Sequence, residues 1–124
     1  MTMMSFDDIR ENYRGEEPPQ QRLPQLKIQY ARLLAEQGSE HPETLAAEFE
    51  LAQALGRAGK DEEALNHLEH VLNGYSALYG DDDELTLEAG EFAALCLASQ
   101  GRRGDALDLC DALGIDPGVL QGRK

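Results

Sequence analysis

Asp61-Glu62-Glu63-Ala64-Leu65-Asn66-His67-Leu68-Glu69-His70-Val71-Leu72-Asn73-Gly74-Tyr75-Ser76-Ala77-Leu78-Tyr79 is the stretch on which the fold turns. Its apolar residues Ala64, Leu65, Leu68, Val71, Leu72, Tyr75, Leu78 and Tyr79 recur three or four positions apart or side by side. That is one broad stripe on a helix of about 3.6 residues per turn. Asp61, Glu62, Asn66, Glu69 and Asn73 occupy the other face. A helix so divided must bury its stripe against neighbours, at about 1.5–3 kcal/mol for each large side chain covered. Gly59 and Gly80 bracket it.

The flanking segments carry the same period. Leu26, Tyr30, Leu33 and Leu34 predict a helix from Leu23 or Pro24 to a C-cap at Gly38. His41-Pro42 opens the next, with proline where its missing amide is harmless, running to about Ala58 through Leu45, Phe49, Ala52 and Leu55. Asp82 or Asp83 caps a helix over Glu84 to Gln100, and Gly104 to Leu113 forms another before a short turn from Asp116-Pro117 through Leu120. Upstream, Ser5-Phe6-Asp7-Asp8 reads as a capping box for a short helix from Phe6 to Tyr13, with a seam of Phe6, Ile9 and Tyr13. No segment alternates as a strand does. The fold class is therefore all-α, with about five main helices plus the short N-terminal one. Residues 1–22 read as that helix and a Pro/Glu/Gln linker, and 23–124 as a helical repeat domain.

Shifting the chain by 42 residues lays Gly38 on Gly80, Thr44 on Thr86, Leu45 on Leu87, Ala52 on Ala94, Leu55 on Leu97, Gly59 on Gly101 and Ala64 on Ala106. Turn glycines, leucines and small residues coincide, as a tight reversal and close helix packing require. Leu68, Leu72 and Tyr75 fall on Leu26, Tyr30 and Leu33, so the first long helix is the second half of an incomplete unit. Two helices per period predict an α-solenoid of antiparallel helix-turn-helix hairpins.

Gly38-Ser39-Glu40-His41-Pro42-Glu43-Thr44-Leu45, Leu51-Ala52 and Gly59-Lys60-Asp61-Glu62-Glu63-Ala64 together resemble the tetratricopeptide (TPR) repeats of the kinesin light chain type, common in bacteria. The likeness covers about Leu23 to Leu113. The second copy departs from it, with Asp83-Glu84 for His-Pro, Ala93-Ala94 for Leu-Ala and Gly104-Asp105-Ala106 for Glu-Glu-Ala. The resemblance implies a non-enzymatic adaptor whose first helices line a concave face for a peptide or helix of a partner protein. Here that lining is Ala46, Phe49, Glu50, Gln53 and Arg57, then Glu88, Glu91, Phe92, Leu95 and Ser99. Its acidic residues fit a basic or amphipathic segment, although Phe49 and Phe92 also suit a core. A second reading is a self-associating subunit, a homo-oligomer joined through terminal repeat faces or through Phe6, Ile9 and Tyr13.

Composition narrows the alternatives. A formal charge of −13 argues against nucleic acid, whose phosphates demand a surplus of Lys and Arg. No apolar run reaches a membrane span, and charged residues follow Met1 to Met4 where a signal peptide needs an apolar core, so a cytoplasmic protein without membrane contact is expected. Cys96 and Cys110 lack the close spacing of a zinc or redox pair and read as small buried hydrophobes. Glu63, His67 and His70, at i, i+4 and i+7, bring metal-capable groups to one helical face. Solvated histidines beside a buried Leu68 explain that spacing equally, and the reading adopted is no metal and no cofactor. No nucleophile elbow, phosphate loop or dinucleotide fingerprint is present, so no enzymatic activity is expected.

Overall fold

The computed structural model describes residues 19–122. Phe6, Ile9 and Tyr13, with the short helix and linker read around them, lie outside the described residues. Six helices make up the described chain: α1 (Pro19–Gln37), α2 (Pro42–Arg57), α3 (Asp61–Tyr79), α4 (Glu84–Ser99), α5 (Arg103–Leu113) and the single turn α6 (Val119–Gly122). No strand occurs among the described residues. Each helix packs on the next in order from α1 to α5; in addition α2 touches α4, and α6 returns onto α4. This is an array of antiparallel hairpins, with α2 and α4 side by side on one of its faces.

Local chemistry sets the ends. At α2, His41 Nδ1 accepts the Glu43 amide at 3.1 Å and Pro42 takes the first helical position. At α4, Asp83 Oδ2 accepts the Leu85 amide at 2.9 Å. Both leave one fewer unpaired donor at a helix start. The hairpin corners repeat in geometry as well as in sequence. Lys60 N–H donates to Leu55 C=O at 2.8 Å, and Arg102 N–H to Leu97 C=O at 2.9 Å. The glycines before them, Gly59 and Gly101, have φ of 86° and 81°, a region where a β-carbon is strained. Gly38 and Gly80 likewise share φ values of 92° and 96°.

The core runs along the shared faces of the array. On α3, Ala64, Leu65, Leu68, Val71 and Tyr75 are buried, whereas Leu78 and Tyr79 in its last turn are exposed. At 19 residues α3 is longer than α2 and α4, which have 16 each. α2 comes close at Gly74: a β-carbon there would sit 2.7 Å from Leu45 Cδ1. α4 is the least polar helix because it has neighbours on most sides, and Ala89, Gly90, Ala93 and Ala94 let them approach.

α1 begins at Pro19, earlier than Leu23, and contains Pro24. Leu23 and Leu26 are buried against α2, so Gln20 to Arg22 belong to the helix rather than to a linker. The α1 residues one period before Val71 and Gly74 are Gln29 and Arg32, both exposed. The exposed residues of α1 are thus mainly polar, with Ile28 and Leu34 the large apolar exceptions.

Candidate functional site

α2 and α4 present one surface together. Beneath it lies an aromatic ladder: Phe49 meets Tyr75 of α3 edge to face at 6.3 Å and Phe92 of α4 at 6.4 Å. Phe49 is therefore floor, only 7% exposed, and not lining. Its placement follows from Leu45, Ala52 and the neighbouring buried positions of the same helix. Phe92 reaches further out because Gly56 leaves it room; a β-carbon at Gly56 would stand 3.0 Å from its ring.

Above this floor Gln53, Arg57, Glu88, Glu91, Phe92 and Leu95 line a depression of about 330 Å3. A shallower one adjoins it over Gly56, Asp61, Cys96 and Ser99, again with Arg57, Phe92 and Leu95. Glu50 is exposed on α2 at the edge, where it lies 3.6 Å from Arg22. Seven of the residues named from sequence, Gln53, Arg57, Glu88, Glu91, Phe92, Leu95 and Ser99, thus border adjoining hollows.

Sequence reasoning stopped short of the other end. From Glu88 and Glu91 onward, a third depression of about 510 Å3 is lined also by Glu84, Leu85, Leu87 and, after α5, by Gly114 and Ile115. Glu84, Glu88 and Glu91 follow one another at helical spacing, and no cation lines this part among the described residues. Negative charge is concentrated here, whereas Arg57 offsets it at the other end. The spacing of the three glutamates was visible in the sequence; the approach of Ile115 was not.

Cys96 is buried at the edge of the groove, and burial, with the charge of Asp61, pushes its thiol up to about 11. Cys110 is buried as well and its pKa is raised by burial, so both are protonated and poorly nucleophilic at neutral pH.

Glu63, His67 and His70 are not brought together. Glu63 is exposed, while both histidines turn to Glu48 of α2. Among the described residues no group of three side chains is arranged to hold a metal ion. Nor is any described helix long and apolar enough to cross a membrane.

In comparisons with known proteins, no family model and no curated protein matches this chain.

Proposed function

We propose that the chain is a protein-interaction module whose α2/α4 groove takes a basic, amphipathic segment of a partner protein. The observation that carries this reading is the continuity of the groove: an apolar patch of Phe92 and Leu95 runs directly into the acidic row Glu84, Glu88 and Glu91. An apolar side chain over Phe92 gains burial, and Lys or Arg two or three residues away meets carboxylates. The resemblance to tetratricopeptide repeats supports the same use of the first helices.

Two synthetic helical peptides with the same leucine face, one flanked by Lys and Arg and one by Glu, test the proposal by fluorescence anisotropy. The basic peptide is expected to bind, and more weakly as salt rises, because the contacts are solvent-exposed. Glu88→Lys with Glu91→Lys should invert the preference while leaving the melting temperature unchanged. Equal binding of both peptides, or indifference to the double reversal, refutes it.

A further inference from the structure

Behind the groove, on the side of α2 turned to α1 and α3, sits a carboxylate that apolar periodicity does not account for. The Glu48 side chain is 3% exposed, and each of its oxygens has a histidine. His67 Nδ1 lies 2.9 Å from Oε2, and His70 Nδ1 lies 2.6 Å from Oε1. A carboxylate has only acceptors to offer, so each ring nitrogen supplies the proton. The His67 ring stands edge to face on Tyr30 of α1 at 5.6 Å, and a neutral ring protonated at Nδ1 satisfies its contact with Glu48. His70 differs. Its Nε2 faces a second carboxylate oxygen, Glu40 Oε2 at 3.1 Å, in the turn between α1 and α2. A neutral imidazole carries one proton and would aim a lone pair at one of the two carboxylates.

We propose that His70 is a proton-operated clasp: charged, it ties the α1–α2 turn through Glu40 to the α2–α3 interface through Glu48, and on losing a proton it releases the turn.

The other hairpin shows that the fold does not need this arrangement. One period on, Glu48 becomes Gly90, His67 becomes Leu109 and His70 becomes Ala112. The space beside Gly90 is filled by Leu113 and Ile115, whose methyls would meet a β-carbon placed there. The same helical pair is thus built with an apolar filling, and a buried ionic cluster is not in general more stabilising than that. What the polar version adds is dependence on a proton.

Among the described residues the groups facing the cluster are Tyr30 from α1, Glu40 from the turn, Glu48 from α2 and His67 on α3 itself; the charges acting on His70 are those of Glu48 and Glu40. Burial opposes charge on His70, but hydrogen bonds and attraction to Glu48 and Glu40 outweigh it and hold its pKa above the ordinary 6.5. Glu40 is held below its ordinary 4.5, first by its hydrogen bond to His70 and then by that from Ser39. The raised histidine stabilises the fold fully below 6.5, and that stabilisation is lost as pH climbs through its folded pKa. The lowered carboxylate contributes above 4.5, and its contribution is lost as pH falls. The clasp is therefore shut above the folded pKa of Glu40 and opens as pH rises through that of His70, which lies above 6.5.

The test uses the full chain. Imidazole nitrogen NMR should find His70 titrating above 6.5, doubly protonated below its midpoint, with a proton on His67 Nδ1. Hydrogen exchange at Gly38 and Leu45, the hydrogen-bonded amides on either side of the turn, corrected for intrinsic rate, should lose protection as pH rises through the folded pKa of His70. Glu40→Gln, an exposed and structurally mild change, should lower the His70 pKa and abolish that pH-dependent loss with the fold intact. Titration of His70 at or below 6.5, turn protection indifferent to pH in the native chain, or an unchanged pH response in Glu40→Gln would each overturn the clasp.

Discussion

Leu45 and Gly74 share one volume, which makes a double-mutant cycle the most demanding test of the packing. Leu45 is fully buried, and both of its terminal methyls lie where a β-carbon of Gly74 would stand, at 2.7 and 2.8 Å. Leu45→Ala forfeits about 2–3 kcal/mol of transfer free energy and leaves a cavity that glycine cannot fill, for a total of about 3–5 kcal/mol. Gly74→Ala alone forces Leu45 aside at about 1–3 kcal/mol, offset by the roughly 0.8–1.0 kcal/mol that alanine gains over glycine inside a helix. In the double variant the new methyl occupies vacated space. Its clash disappears, part of the cavity is filled and the helix-propensity gain remains, so the pair should be about 1–3 kcal/mol less destabilised than the sum of the singles. Urea unfolding followed by circular dichroism measures all four corners. Against a domain stability of about 5–15 kcal/mol, Leu45→Ala stays measurable if recorded cold. Additivity within about 0.5 kcal/mol would mean that α2 and α3 do not meet at these two residues.

Other perturbations separate core, cap and surface. Ala64→Arg puts a long charged side chain where the native residue is fully buried and should abolish the cooperative transition in circular dichroism; native-like stability would displace Ala64 from the interhelical contact. Asp83→Ala removes the side-chain acceptor for the Leu85 amide and should lower stability in urea by about 0.5–2 kcal/mol, with Asp82→Ala, which makes no such bond, nearly silent. Cys96 and Cys110, both buried and with raised pKa values, should react with a thiol reagent at pH 8 only as fast as the chain opens, so labelling should accelerate with urea in parallel with unfolding. Rapid labelling of both thiols in the native state would contradict that burial.

The helices were legible where period and punctuation agree. α3 spans Asp61–Tyr79, bounded by two positive-φ glycines, and its apolar stripe follows the 3.6-residue spacing. What misled was length. A stripe says which face is greasy, not how far the neighbours extend, so Leu78 and Tyr79 read as core although both are exposed in the last turn of α3. Pro18-Pro19 read as a linker, yet Pro19 can serve as a helix start, and Leu23 and Leu26 anchor the first turns of α1. Glu48 gives no signal in the apolar period, where an acid reads as surface. It nevertheless shares a stripe with Thr44, Leu51 and Leu55, all buried, and two histidines sit on the following helix. A carboxylate in register with leucines, and cations within reach, is a sign worth reading as a buried pair.

The groove and the clasp lie on opposite sides of α2, and that separation makes the two readings independently testable. Phe49 packs into the aromatic ladder under the groove, while Glu48, next to it in sequence, turns away toward α1 and α3. The groove carboxylates Glu84 and Glu88 are exposed and Glu91 partly so, and reversing exposed charge changes stability little. Binding of a basic segment should therefore respond to Glu88→Lys at constant stability. Glu40→Gln, at the far side, should alter the pH response and leave peptide affinity at pH 6 as it was. If Glu40→Gln instead weakened the peptide at pH 6, where the native clasp is shut, the turn before α2 would be coupled to the groove through α2 itself. Phe49 would be the first place to look, since it is the residue of α2 that joins α3 to α4.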